Sequence, residues 1–441
     1  MTERRPAVLV IGTDRYALEA CVRRDLDAVV VVGAAHWDNG LIEIPESLRV
    51  VRVDNQLDPE HIVTALHRHG LADVGWDAVH TGDENALVAA ALLAKHLGCP
   101  TIGASTAAHF RDKSVQKRAI AAAGLRTART TLVEDVYDVS AITELPYPRA
   151  VLKPVAGAAT ERTVALSDVA RLHAVSRQYA AARIPERTFL LEEFSPGDEW
   201  VVDGVLFEGE VLFCAVSRYG VPCLTTITEN LPLSQRRFDP DRDAWAYDAA
   251  VPFATAALEA LGLRRGVFHM ELFHDKESGD LIFGECAARR GGALTHEEIQ
   301  AKFGVHLGDC AVMCSLDRRP EIDVKLRPEV VGGGYLTGPP GVLVRCPIAA
   351  ELRELPGVEF ARIEQPYGIR VADGLAGTDQ RLGQVLVSAA SAEELDARLA
   401  TVRAWFTERV VTVPDGATTR ELRAWQRVTS PQDDLRDTLW R

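Results

Sequence analysis

The sequence predicts an α/β protein that passes into α+β and then β-rich structure, and three changes of texture along the chain carry that prediction. Residues 1–110 alternate short β-branched runs with helical stretches, the rhythm of βαβ units around a parallel sheet. Residues 111–325 mix amphipathic helices with hairpin-like strand pairs. Beyond residue 325 the strands are punctuated by glycine and proline, as in VVGGGYLTGPPGV. A chain of 441 residues exceeds one compact core, so about three domains are expected. The boundaries we read are a βαβ domain over 1–110, a mixed domain over 111–325, a β-rich accessory domain over 326–412 and a tail over 413–441.

Each element has a local reason. Val8 to Ile11 and Ala28 to Val32 are short β-branched runs flanking a helix from about Tyr16. Gly12 and Gly33 follow these strands, but neither belongs to a GxGxxG pattern, so a dinucleotide site is not supported. Asn85 to Leu97 is an Ala/Leu-rich helix stopped by Gly98 and Pro100, and its apolar girth predicts burial. RDKSVQKRAIAAAG predicts an amphipathic helix with basic residues in its first two turns. Strands follow at Ala150 to Lys153 and Phe189 to Phe194, then a hairpin of Trp200 to Leu206 and Glu210 to Val216 turning at Glu208 and Gly209. After a helix over Ala244 to Leu261 come two strands, Val267 to Phe273 and Leu281 to Ala287, and a last helix spans about Ala392 to Phe406.

The net charge of −14 argues against non-specific binding of nucleic acid or an anionic membrane, since both need a basic surface field. No apolar run reaches the roughly 20 residues that cross a bilayer. MTERRPAVLVIG enters an apolar strand without a signal-peptide core, so a cytoplasmic location is expected. Eight cysteines without a CxxC pair read as reduced thiols, with Cys310 and Cys314 packing one helical turn apart rather than binding metal.

The sharpest chemical signal is the strand pair GVFHMELFH and LIFGECAARRGG. A turn centred near Ser278 puts Glu271 opposite Glu285, and two facing carboxylates ask for a cation such as magnesium between them. Strand alternation then places Ala287 and Arg289 on the face of Glu285, and His269 on that of Glu271. Upstream, Lys153 ends a strand before a small-residue loop that could cradle phosphate. FLLEEFSPGDE runs an apolar strand into two glutamates and then Glu199, which suits an adenine edge and ribose hydroxyls. Taken singly, these also fit a water-facing hairpin, a structural lysine and a solvated strand end.

Their order and spacing carry more. DKSVQKRAIAAAGL, VLKPVAGAAT, LLEEFSPGDEWVVDG, GVFHMEL and GECAARRGG resemble the successive motifs of the ATP-grasp superfamily, from about Val8 to about Val411. The resemblance implies an ATP-grasp fold, with a Rossmann-like pre-ATP-grasp domain ahead of it, a lid over about 113–195 and a β-rich C-terminal domain. By the same resemblance, Lys113, Lys153, Gly157 and Thr160 serve the nucleotide phosphates. Glu192, Glu193, Phe194 and Ser195 form the adenine strand, Glu199 meets the ribose, Glu271 and Glu285 hold the metal, and Arg289 stands at the reacting centre. His269 is a further catalytic candidate, with Arg290 and His296 behind it. Two positions depart from the family pattern. Ala287 stands where many members carry Asn, and the phosphate loop reads Gly157, Ala158, Ala159, Thr160, Glu161, Arg162 instead of GxGSxG.

The ECAARRGG ending resembles the branch of L-amino-acid ligases of the bacilysin-synthetase kind. That implies an ATP-dependent carboxylate-amine ligase, an enzyme forming amide bonds through an acyl phosphate, in peptide or antibiotic biosynthesis. The implied cofactors are ATP and Mg2+, with Mn2+ as an alternative. The implied partners are small amino-acid or peptide substrates, without nucleic acid or membrane; homodimers are common among similar enzymes. A carboxylase of the purine or biotin type and a non-catalytic ATP-binding protein are the competing readings.

Overall fold

The structure, a computed structural model, describes residues 4–38, 43–364, 368–378, 380–414, 416–418, 420–421 and 423–424. Most of the predicted tail, and residues 365–367 of the RIEQPYG stretch, lie outside them.

The N-terminal unit is a four-stranded parallel sheet in the order Arg49–Val53, Asp27–Gly33, Ala7–Ile11, Ala78–Thr81. Both faces are covered, with Leu9, Ile11, Val29 and Val31 in one core and Val8, Val10, Val30 and Val32 in another. That is why the strands read as unbroken apolar runs rather than alternations. The helix Leu87–His96 is apolar all round for a similar reason. Ala90, Leu93 and Ala94 face the parallel sheet, whereas Leu87 and Ala91 face the core of the neighbouring unit.

The principal sheet has eight antiparallel strands, in the order Leu281–Ala287, Gly266–His274, Asp198–Phe207, Glu210–Tyr219, Ser234–Arg237, Val330–Leu336, Gly383–Ala389, Val358–Ile363. Alternation along GVFHMELFH sorts its residues: Phe268, Met270 and Leu272 are fully buried with Trp200 and Val202 against the helix Ala244–Leu261. Each such side chain contributes about 1.5–3 kcal/mol by burial. His269 and Glu271 therefore project to the other face, where the charged residues gather.

Strands from residue 330 onward continue this sheet, because Ser234–Arg237 pairs with both Glu210–Tyr219 and Val330–Leu336. Among the described residues, the three strands Arg370–Val371, Gly341–Arg345 and Val411–Val413 form a separate small sheet in that region. A further four-stranded antiparallel sheet, Thr130–Val133, Phe189–Glu193, Ala150–Pro154 and Val164–Leu166, packs on the helix Val169–Ala182 around its own core. This sheet, which falls within the stretch 113–195 expected to form a lid, lines one cavity together with the principal sheet. The helix Lys113–Ala122, expected within the lid, instead buries Ile120 in the core beneath the principal sheet.

Candidate active site

The open face of the principal sheet forms the floor of a cavity of about 390 Å³. Register builds the floor. Glu285 pairs with Glu271, which pairs with Val201, so Glu199 and Asp203 share their face. Tyr219 and Gln235 extend the same row, since Ser217 pairs with Val201 and Tyr219 with Gln235. The pairing of Glu271 with Glu285 matches the turn centred near Ser278, although a bulge between Glu271 and Leu272 shifts the rest of the hairpin by one residue.

All thirteen candidate residues line this cavity. Lys113 begins the helix capped by Asp112, whose Oδ1 accepts from the amides of Ser114 and Val115 at 2.8 and 3.0 Å. Its ammonium lies 3.0 Å from Glu285 Oε2 and donates to the carbonyl of Gly157 at 2.7 Å. Burial opposes ionisation of Glu285, but Lys113 and Lys153 outweigh it and hold the carboxyl down at about 2. Glu199 goes the other way: burial, then the Glu271 charge, pushes it up to about 8, while its Oε2 accepts from the amide of Cys223 at 2.7 Å.

Of the four acids on this face, Asp203 is taken by Arg237 and His269, and Glu199, Glu271 and Glu285, with like charge raising Glu199, make an oxygen-rich corner suited to a hard divalent cation. Among the described residues no group of three or more His, Cys, Asp or Glu is arranged to hold a metal alone. Magnesium takes one or two carboxylates and fills its shell with water and phosphate oxygens, so Glu271 and Glu285 could hold it.

Several candidates stand differently from expectation. The Glu192 carboxylate is not turned to an adenine edge but lies between two lysines, 2.7 Å from Lys153 and 3.2 Å from Lys117. Glu193 points the opposite way and accepts two hydrogen bonds from Arg129, at 2.8 and 2.7 Å. This strand offers the cavity its backbone, together with Phe194 and Ser195. Arg289 lies past the strand end at Ala287, and Glu84 of the N-terminal unit binds its Nε and Nη2 at 3.0 and 2.5 Å. His269 Nδ1 meets Asp203 at 2.7 Å and its Nε2 lies 3.6 Å from Glu271. Burial works against its charge, yet Asp203 prevails and holds the imidazole up at about 9, so His269 is a fixed cation rather than a base at neutral pH. Arg290, partly exposed, ties to Asp14 at 3.0 Å, and His296 is buried in a stack on Tyr16; neither lines the cavity.

The altered phosphate loop keeps a glycine-like path. Ala159, Thr160 and Arg162 have φ of +53°, +59° and +54°, and Thr378 clasps the loop through its amide and hydroxyl, 2.9 and 3.1 Å from the carbonyl of Ala159.

Sequence reasoning missed Lys117, Asp203, Arg237, Glu84 and Arg111. Lys117 was within reach, one helical turn after Lys113 in KSVQK. So was Asp203, a lone acid in the apolar strand WVVDGVLF. It accepts from the fully buried Arg237 at 2.7 Å, and Arg237 also donates to Glu298 at 2.8 Å.

No family model matches the chain. It is 26% identical over 264 residues to the L-arginine-specific L-amino acid ligase of Bacillus subtilis, covering 58% of this chain and 62% of that protein. The chain thus spans less than two thirds of that curated relative. The crystal structure of an L-amino acid ligase from Bacillus licheniformis superposes with a TM-score of 0.75 at 20% identity, over 93% of this chain and all of that one (100%). The biotin carboxylase domain of the Hydrogenobacter thermophilus 2-oxoglutarate carboxylase, solved with MgADP, ADP and bicarbonate, gives 0.63 at 17% identity over 97% and 99%. The chain has the ATP-grasp fold, and in sequence it is similar to the L-amino acid ligases.

Proposed function

We propose that this chain is an ATP-dependent carboxylate-amine ligase that joins two amino acids, or an amino acid and another carboxylate, through an acyl phosphate. One observation carries the reading: Glu271 and Glu285 face each other across the sheet, with the ammonium of Lys113 3.0 Å from Glu285 and Lys153 lining the same cavity. Two acids and two ammonium groups at one end of the cavity suit a metal-bound triphosphate.

Glu271 and Glu285 would hold magnesium, which supplies charge screening for the phosphoryl group when bound. Manganese, with the same preference for oxygen ligands, is expected to substitute. Lys113 and Lys153 grip phosphate oxygens beneath the loop 157–162. An oxygen of the acid substrate attacks the γ-phosphorus, the bond to the bridging oxygen breaks and ADP leaves. The amine nitrogen then attacks the acyl carbon, gives up a proton and expels phosphate. Arg289 pairs with the carboxylate and then with the oxyanion of the adduct. No protein nucleophile takes part. The clasp of Thr378 on the loop helps keep water from the acyl phosphate.

The similarity to L-amino acid ligases supports amino acids as the substrate class. Free thiols at all eight cysteines and the need for ATP suit a cytoplasmic setting. The test is to incubate the full chain with ATP, magnesium and a matrix of amino acids, measuring ADP and product mass. ADP release that requires an amine, with a condensed product, is expected. Bicarbonate-dependent release would favour a carboxylase instead, and nucleotide binding without turnover would leave only a binding protein.

A further inference from the structure

Glu84 and Arg111 do not line the cavity, yet each commits its charge to a group that does. Glu84 Oε2 receives Nε and Nη2 of Arg289 at 3.0 and 2.5 Å, and its Oε1 receives Nη1 of Arg111 at 2.8 Å. The other terminal nitrogen of Arg111 donates to the carbonyl of Ala156 at 2.8 Å and to Oδ1 of Asn85 at 2.9 Å. Ala156 opens the phosphate loop, and the next carbonyl, Gly157, takes the Lys113 ammonium that pairs with Glu285. The contacts run unbroken from the metal-facing glutamate, through the loop, to the arginine of the reacting centre.

Three units contribute: Glu84 comes from the N-terminal unit, Ala156 and Gly157 from the lid, Arg289 and Glu285 from the principal sheet. A guanidinium is planar, and its hydrogen bonds set its orientation as well as its place. Arg289 has Nη1 on the carbonyl of Arg290 besides the two bonds to Glu84, so Glu84 fixes the plane it presents. Arg111, bonded to Glu84 and to the loop together, cannot follow one without pulling on the other. The side chains of Glu84, Arg111 and Arg289 are only 11%, 14% and 23% exposed, where ion pairs are little screened.

We infer that Glu84 and Arg111 are positioning residues that couple the phosphate loop to Arg289, so that seating a nucleotide under the loop sets the arginine for the acid substrate. The inference rests on the functional reading only in that a nucleotide binds beneath this loop. It supplies what coupling requires, a physical element in contact with both sites.

Hydrogen exchange of the full chain, with and without ADP and magnesium, tests it. In the unaltered protein ADP is expected to slow exchange both in 156–163 and in 287–293. In Arg111→Gln and Glu84→Gln the first protection should persist and the second disappear, with ADP affinity within about twofold and KM for the acid raised about tenfold. Arg111→Lys should restore part of the second protection, and it serves as the probe if the glutamine variants fail to fold. Protection of 287–293 undiminished in both glutamine variants would overturn the coupling. So would loss of protection in both segments together, which marks a merely structural contact. Absence of any protection by ADP in the unaltered protein would sink the nucleotide reading itself, and this inference with it.

Discussion

The carboxylate of Glu192 stands 3.2 Å from the ammonium of Lys117, and both side chains are almost wholly out of solvent. With Lys153 on the other oxygen, the three form a buried charge cluster behind the phosphate end of the cavity. Burial lowers Lys117 to about 8, while the two lysines, against burial, hold Glu192 below the usual carboxylate range. Glu192→Gln strands two buried cations and is expected to cost about 3–5 kcal/mol. Urea denaturation measures this; a loss below about 1 kcal/mol would show the cluster to be unimportant to the fold.

The imidazole of His269 yields a pH signature. Its pKa is raised from 6.5 to about 9, because Asp203 outweighs the effect of burial. The sign follows from the folded state binding the proton more tightly. The stabilisation is complete below about pH 6.5 and is lost as pH rises toward 9. Its size is on the order of 3 kcal/mol. Unfolding free energies of the native protein and His269→Gln, compared at pH 6 and 9.5, should differ mainly at the lower pH; parallel curves would contradict the assignment.

Two adjacent glycines should respond oppositely to alanine. A Cβ on Gly291 would fall 2.5 Å from His269 Nδ1 and 2.9 Å from Asp203 Oδ1, whereas one on Gly292 meets nothing within 4 Å. Gly291→Ala is expected to destabilise by about 1–3 kcal/mol and to disturb the histidine. Gly292→Ala should be nearly neutral, and calorimetry of the pair settles it.

At the metal corner, Glu285→Gln and Glu271→Gln are each expected to lower amine-dependent ADP release by about 100- to 1000-fold. A chelator should abolish the same activity and added magnesium restore it. Turnover that survives chelation would remove the basis for assigning these carboxylates.

Much of this site was legible because its signals are local. Glu271 and Glu285 are equidistant from Ser278, so hairpin symmetry alone pairs them, and Lys153 announces itself at a strand end before small residues. Glu84 and Arg289 are 205 positions apart, and nothing in either neighbourhood names the other. Side-chain direction at Glu192 and Glu193 was also hidden, since two consecutive glutamates on a strand must diverge and only the packing of Lys117 decides which turns inward. The run Gly332 to Gly334 reads as punctuation, yet it lies inside a central strand. A Cβ there would come within 2.5–2.9 Å of Gln235, Leu395, Glu298 or Arg403, so the glycines admit close neighbours rather than end the strand. The phosphate loop shows the converse, holding three left-handed residues where a reader looks for glycine.

The sheet that carries the two glutamates does not stop where the catalytic residues do. Ser234–Arg237 is completed on its far side by Val330–Leu336, which comes almost a hundred residues later (Gly334 opposite Ser234, Arg236 opposite Gly332). A fragment ended near residue 325 would leave that strand with a bare row of amides and carbonyls, a template for intermolecular pairing. Expression of the front part alone should therefore yield aggregates, and the solubility of residues 1–325 depends on a strand supplied from beyond them.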